Sequence, residues 1–378
     1  YFFSEQFKVD SNFVPEILNA LPWLVLAVPL ATITSVLNGA LQGMEKFAHI
    51  NIINSTGSIL FQVLPLFVAL QGIVDLEVLL AVAIVARFSG LIVLFFVAVR
   101  FVSYKRVPTF SGAEARKLLK FGGWVAISSF VSPIMVMADR FIIGAILGAK
   151  AVTLYAVPYQ LAERSTLIPN ALGSSLFPRF AKGGKSDPKV LAIDSINILQ
   201  LFMTSLILLV ILQADFILSI WISPDFAKES SLVLKIILIG FWVNGLARIP
   251  FNMLQASGKP KIVAISHLVQ ILPYGLLLLV GLNMWGIEGA AFAFSLRVFF
   301  DYVLLGWLSG ILIRTLPLLI FGVLSLITAL VLSLQDISFM TMAICQISLI
   351  LITLQWSVKQ SPHFLKERLG TLIKKLAI

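Results

Sequence analysis

The chain has 378 residues, of which 59% are hydrophobic and 12% charged, with a mean hydropathy of +1.00 and a formal net charge of +10. Soluble domains carry about 25% charged residues, so this composition excludes an ordinary soluble enzyme core. Apolar runs of about 20 residues recur along the whole length, each long enough to cross a hydrocarbon core, and the reading is an all-α, polytopic membrane protein.

Breaks at glycine, proline and charge clusters predict about eleven spans. In chain order they cover 17–42, 47–71, 77–101, 118–148, 152–178, 190–214, 230–257, 261–282, 286–311, 314–334 and 338–358. Basic residues gather in alternate connections: Arg100, Lys105, Arg106, Arg116, Lys117 and Lys120, then Arg179, Lys182, Lys185 and Lys189, then Lys259, Lys261 and Arg314, and a tail with Lys359, Lys366, Arg368, Lys374 and Lys375. The opposite connections hold Asp75, Glu77, Asp215, Asp225, Glu229, Glu288 and Asp336. The positive-inside rule places the basic set, and with it the C-terminus, in the cytoplasm. The net positive charge is then topology rather than a nucleic-acid footprint, and a basic tail beside a membrane can also touch anionic lipid.

An internal repeat sets the domain plan. LNGALQGMEKF at 37–47 and FNMLQASGKPK at 251–261 each end one span and enter the next, and pairing Leu41-Gln42 with Leu254-Gln255 also pairs Lys46 with Lys259. Downstream, Gly72-Ile73 and Gly286-Ile287 precede comparable spans. Both copies run in the same direction, so the repeat is parallel, and it predicts two six-helix lobes related by a pseudo-twofold plus two C-terminal helices. The expected plan is a remainder of an N-terminal lobe over 1–104, a basic linker at 105–120, a C-terminal lobe over 118–312, two additional spans over 313–358 and a basic tail at 359–378. The spans from 118 to 214 lack visible partners, so three further helices, about 95 residues, are expected before Tyr1.

Charge at membrane depth is costly, about 3 kcal/mol for an arginine at a helix centre on insertion scales. Arg87, Arg140, Arg164, Lys235, Arg248 and Arg297 fall within predicted spans, against the acids Asp139, Glu163 and Asp301. Lys235 stands near an outer helix end, where a lysine can snorkel to water. Arg297 and Asp301 are four apart on one helix face and can pair. Asp139 and Arg140, like Glu163 and Arg164, point about 100° apart and need partners elsewhere. Interhelical ion pairs are the structural alternative for any single residue. The arginines outnumber the acids, however, and a low-dielectric interior tolerates unpaired charge poorly. A surplus of guanidinium groups suits a wet cavity for an anion, and arginine's planar fork matches phosphate oxygens. Arg87, Arg140, Arg164, Arg248 and Arg297 are the candidate anion site, and Asp139, Glu163 and Asp301 the ion-coupling candidates. His267 and the polar face of Asn51, Asn54, Ser55 and Ser58 read first as helix–helix hydrogen bonds and second as cavity lining. Trp23, Trp221 and Trp285 read as interfacial anchors.

Enzyme signatures are missing: the sequence holds no HExxH, GxSxG or Walker loop, and no long extramembrane segment. Cys345 is the single cysteine, and His49, His267 and His363 form no ligand spacing, so no metal or cofactor is expected.

The segment KLLKFGGWVAISSFVSPIMVMADRFIIGAILGAKAVTLYAVPYQLAERSTLIPNALGSSLFPRFAK, residues 117–182, resembles the middle of the O-antigen and polysaccharide flippases. These form the polysaccharide-transport branch of the multidrug/oligosaccharidyl-lipid/polysaccharide exporter superfamily. FGGW, DRFIIG, YAVPY and FPR are similar to that branch, as are LNGALQG, NMLQASGKPK and GIEGAA. The resemblance implies a flippase, not an enzyme, that moves an undecaprenyl-diphosphate-linked oligosaccharide across the bacterial cytoplasmic membrane by alternating access. It further implies coupling to H⁺ or Na⁺, and a polysaccharide polymerase with its chain-length machinery as partners. The alternatives are a multidrug or peptidoglycan-precursor exporter of the same superfamily and, from another class, a membrane polysaccharide polymerase.

Overall fold

A computed structural model of the protein describes residues 14–101, 111–182, 187–335 and 339–360. The expected linker at 105–120 falls outside them as far as residue 110, and the tail from residue 361 onward. The described residues are almost wholly helical and contain no strand. They divide into two units, one reaching to Phe110 and the other beginning at Ser111.

The first unit holds α1 (Val14–Gly43), α2 (Phe47–Leu70) and α3 (Leu76–Phe101). Here α3 is the central element and packs against both neighbours. Its small residues Ala83, Ala86 and Ala98 are buried, which lets the helix axes approach. Glu16 accepts the Leu76 backbone N–H at 2.8 Å and so ties the start of α1 to the start of α3.

The second unit begins with α4 (Gly112–Leu147), capped by the Ser111 hydroxyl accepting from Glu114 N–H at 3.4 Å. Gly148, at φ 84°, ends α4 and starts α5 (Ala149–Glu163). A 3₁₀ turn, Arg164–Thr166, separates α5 from α6 (Leu167–Lys182). Next come α7 (Pro188–Leu212), the short α8 (Ala214–Trp221), α9 (Pro224–Ala256) and α10 (Pro260–Ser309), then α11 (Leu312–Leu332) and α12 (Phe339–Gln360). Asp187 and Ser223 cap α7 and α9, each followed by proline at the first helical position, where the missing N–H has no intrahelical partner to lose.

Among the described residues eight helices are long and apolar enough to cross a membrane, against about eleven spans expected. The expected 152–178 span is interrupted by the 3₁₀ turn into helices of 15 and 16 residues. The spans 261–282 and 286–311 run together as α10, which doubles back at Trp285 and Gly286. In the last helix the apolar stretch described is Ile344–Thr353. The reversal in α10 is a consequence of glycine. Gly286 adopts φ 60°, a conformation that strains other residues. A Cβ at Gly281 would meet the Gly289 carbonyl oxygen at 2.6 Å, and one at Gly289 would run into the Gly281 backbone. The two halves of α10 therefore lie antiparallel in near backbone contact.

The core of the second unit is built round α9, which packs on α10, α7, α5, α6 and α8. Its Trp242 is buried and donates Nε1–H to Thr204 Oγ1 at 2.9 Å. Gln200 on α7 donates to the Leu318 carbonyl at 2.6 Å, crossing to α11. Lys235 corrects the snorkelling expectation: it is 2% exposed and donates to Asp215 Oδ2 at 2.6 Å and to the Ser333 carbonyl at 3.2 Å. The short helix α8 begins beside α9 and presents Asp215 to the lysine, so the ammonium is satisfied inside the protein and has no need of bulk water.

The two repeat turns match in detail. Lys46 N–H donates to the Leu41 carbonyl at 3.0 Å and Lys259 N–H to the Leu254 carbonyl at 3.0 Å. Glu45 takes φ 59° where Gly258 takes 74°. Gly72, at φ 89°, stands where the second copy has Gly286.

Candidate functional site

The second unit encloses a cavity of about 580 Å³ between α4, α5, α6, α9 and both halves of α10. Three of the five arginines meet there, Arg140 from α4, Arg248 from α9 and Arg297 from the second half of α10. Its aromatic wall is a cluster of Tyr159, Phe241 and Phe294, whose ring centroids lie 5.1–5.3 Å apart. Arg140 lies over the Tyr159 ring at 5.6 Å, Arg297 over Tyr274 at 5.3 Å and Arg248 over Phe251 at 5.4 Å. An aromatic face attracts a guanidinium without neutralising it, so each keeps its charge and its hydrogen-bond donors for a ligand.

Those donors are underused. Arg248 Nε donates to Asn170 Oδ1 at 2.9 Å, and Arg297 Nη1 reaches only the Met135 sulfur at 3.5 Å. Nε of Arg140 and Nε of Arg297 are buried and have no hydrogen-bond partner among the described residues. Among the described residues no ion pair joins Arg87, Arg140, Arg164, Arg248 or Arg297 to a carboxylate.

The acids have other partners. Asp139, 1% exposed, turns away from the cavity and accepts from Tyr274 Oη at 2.5 Å, while its Oδ1 has no partner. The adjacent pair is thus split by helical phase: Arg140 faces the cavity and Asp139 faces α10. Asp301, at the cavity wall, accepts from Gln270 Nε2 at 2.7 Å and lies 3.7 Å from His267 Nε2. The expected Arg297–Asp301 pair does not form, because the hairpin in α10 carries His267 and Gln270 against Asp301 while Arg297 leans over Tyr274. Glu163 lines the cavity, whereas Arg164, one residue on in the 3₁₀ turn, is exposed outside its lining.

Arg87 belongs to a different cavity, about 840 Å³, within the first unit. It lies 4.3 Å from the Phe61 ring centroid, among Thr34, Ser35, Asn38, Gln42, Asn54, Ser58 and Gln62. Asn54 Nδ2 donates to Asn38 Oδ1 at a long 3.4 Å, and among the described residues no carboxylate lines this cavity. The polar face of α2 thus reaches a cavity through Asn54 and Ser58. Among the described residues no group of three His, Cys, Asp or Glu side chains could hold a metal ion.

The sequence reads His267 first as a helix–helix hydrogen bond, and the structure places it in the cavity lining. Asn54 and His267 are 213 residues apart, the repeat offset, so one polar residue faces a cavity in each copy.

A family model described as "Polysaccharide biosynthesis protein" matches residues 11–183. A Shigella flexneri protein described as "Putative O-antigen transporter" is 33% identical over 288 residues, covering 75% of this chain and 68% of that protein. The chain belongs to the polysaccharide-transport family. Two solved structures are similar at the level of fold. A MATE transporter of Vibrio cholerae, VcmN in a mutant form, superposes with a TM-score of 0.70 at 17% identity, over 82% of this chain and 73% of that one. The lipid II flippase MurJ in an inward closed conformation gives 0.53 at 15% identity, over 88% and 73%. The family member described here is a multi-pass membrane transport protein and not an enzyme.

Proposed function

We propose that the protein is a flippase that carries an undecaprenyl-diphosphate-linked oligosaccharide across the bacterial cytoplasmic membrane for surface polysaccharide biosynthesis. The observation that carries this reading is the meeting of Arg140, Arg248 and Arg297, none paired with an acid among the described residues, round one cavity of about 580 Å³. A diphosphate offers the oxygens that three guanidinium groups can take up, and charge-assisted bonds of this kind are the strong ones. The aromatic wall and the polar side chains Ser128, Ser129, Asn170 and Asn244 suit the first sugars beyond it. An organic cation, the cargo of many multidrug exporters, would meet repulsion.

In this reading the C-terminus is cytoplasmic, and the cargo crosses by alternating access. Uptake of H⁺ or Na⁺ at Asp301, Glu163 or Asp139 resets the cycle. Asp301 is well placed for that step, since its partners are a neutral carboxamide and a histidine, and it stands on the same helix as Arg297. A polymerase and chain-length machinery would consume the delivered oligosaccharide.

The test is complementation of a flippase-deficient strain with Arg140→Ala, Arg248→Gln and Arg297→Gln variants. Surface polysaccharide is lost while the protein stays at normal abundance in the membrane. Wild-type export by all three variants, or efflux of cationic dyes by the unsubstituted protein, rejects the reading.

A further inference from the structure

Arg140 borders two hollows. One is the polar cavity just described. The other is a cleft of about 570 Å³ between α4 and α5, where Arg140 is the single charged residue among Met137, Phe141, Gly144, Ala145, Ala149 and Val152. Met137 and Arg140 line both. The cleft exists because its walls are small: Gly144, Ala145 and Ala149 flank the Gly148 turn, and a Cβ at Gly144 would already press on Val152 at 3.1 Å. An apolar cleft, an arginine with a buried and unpartnered Nε, and a polar cavity therefore follow one another in space.

We propose that this cleft seats the isoprenoid chain of the cargo next to its diphosphate, so that tail, phosphate and sugar lie in cleft, at Arg140 and in the cavity. The proposal rests on the flippase reading and specifies how the lipid is held. The cleft contributes shape and orientation more than affinity, since lipid tails outside are as apolar as the cleft itself. Its occupant is identified by what stands at its inner end. A cation without a carboxylate partner calls for an anionic head, and a cavity of sugar size beyond that cation calls for a head group extended by saccharide. A phospholipid meets the first demand and leaves the second unused.

The experiment uses a prenyl diphosphate with a diazirine in its first isoprene units, illuminated with the full-length protein in phosphatidylethanolamine–phosphatidylglycerol vesicles. The label falls on the segment from Met137 to Val152. Unlabelled undecaprenyl-diphosphate-oligosaccharide suppresses it at least about tenfold, while the same mole fraction of added phosphatidylglycerol does not. Ala145→Trp and Ala149→Trp, both at exposed positions, fill the cleft and lower the label and lipid-linked transport together. Binding of a water-soluble oligosaccharide diphosphate without a prenyl chain stays at the wild-type level in both variants. Label elsewhere, or equal competition by phosphatidylglycerol, overturns the proposal by making the cleft an ordinary lipid-facing surface. Unchanged transport in both tryptophan variants, with transport lost in Arg248→Gln and Arg297→Gln, overturns it while leaving the flippase reading intact. A wild-type protein that moves no lipid-linked oligosaccharide overturns both.

Discussion

The two cavities occupy matching places in the two copies of the repeat and have opposite chemistry. Ala31, Thr34, Ser35, Asn38 and Asn54 in the first unit stand 213 residues before Asn244, Ala247, Arg248, Phe251 and His267 in the second, and all ten line a cavity. Past the glycine turns the offset grows by one, and Arg87 then corresponds to Asp301. Phe61 and Tyr274, again 213 apart, each carry an arginine on the ring face, Arg87 and Arg297. The backbone repeat thus fixes where a hollow opens, and single substitutions decide what it can hold. Where the first unit has Ser35, Asn38, Asn54 and Arg87, the second has Arg248, Phe251, His267 and Asp301. One hollow offers amides and hydroxyls with one guanidinium. The other offers three guanidinium groups and two carboxylates.

If this difference divides the work, charge loss in the second unit costs most. Two charge-assisted hydrogen bonds are removed together in the Arg248→Gln, Arg297→Gln double variant. At about 1.5–3 kcal/mol each, and 1.4 kcal/mol per tenfold, transport falls at least about a hundredfold. Arg87→Gln in the amide-lined hollow costs about tenfold, a single such contact. Initial rates of lipid-linked oligosaccharide reorientation in vesicles check both. Equal losses from the two substitutions would break the comparison, because the anion would then depend on both hollows alike.

The sequence displayed the helices and the repeat clearly, and hydropathy with glycine and proline breaks located nearly every element. It displayed the candidate arginines too, because a charge in an apolar run is conspicuous. Rotational phase was hidden. Asp139 and Arg140 are neighbours in sequence, yet one is buried against Tyr274 and the other lines the cavity. Spacing of four suggested an Arg297–Asp301 pair, but the competing partners of Asp301 come from the far side of a hairpin, more than thirty residues away in sequence. Lys235 departs from its expectation for a related reason: depth along a helix is legible from hydropathy, whereas a short helix carrying Asp215 back onto that depth is not. Tertiary packing decides these points, and no local pattern encodes it.

Asp301→Asn sharpens the comparison at its most unequal pair. The substitution keeps the size of the side chain and removes its acid, at the place where the first unit carries Arg87. In vesicles with an imposed pH gradient the variant loses several-fold stimulation and retains the rate seen without a gradient. Retained stimulation in Asp301→Asn and its loss in Glu163→Gln or Asp139→Asn would move the coupling role to those acids.

The smallest effect is expected from the amide pair. The Asn54–Asn38 bond is long, at 3.4 Å, and both side chains are within reach of the open cavity. Asn54→Ala therefore leaves Asn38 Oδ1 facing water rather than stranded in a dry core, and the cost is about 0.5–1 kcal/mol, a two- to fivefold loss of transport. The loss appears as weaker binding of cargo, with protein abundance and thermal stability near wild type. His267→Asn, which places the first unit's residue in the second, removes one neighbour of Asp301 and leaves Gln270 in place. A larger loss from Asn54→Ala than from His267→Asn would make the amide-lined hollow the more demanding of the two, and the division of labour would reverse.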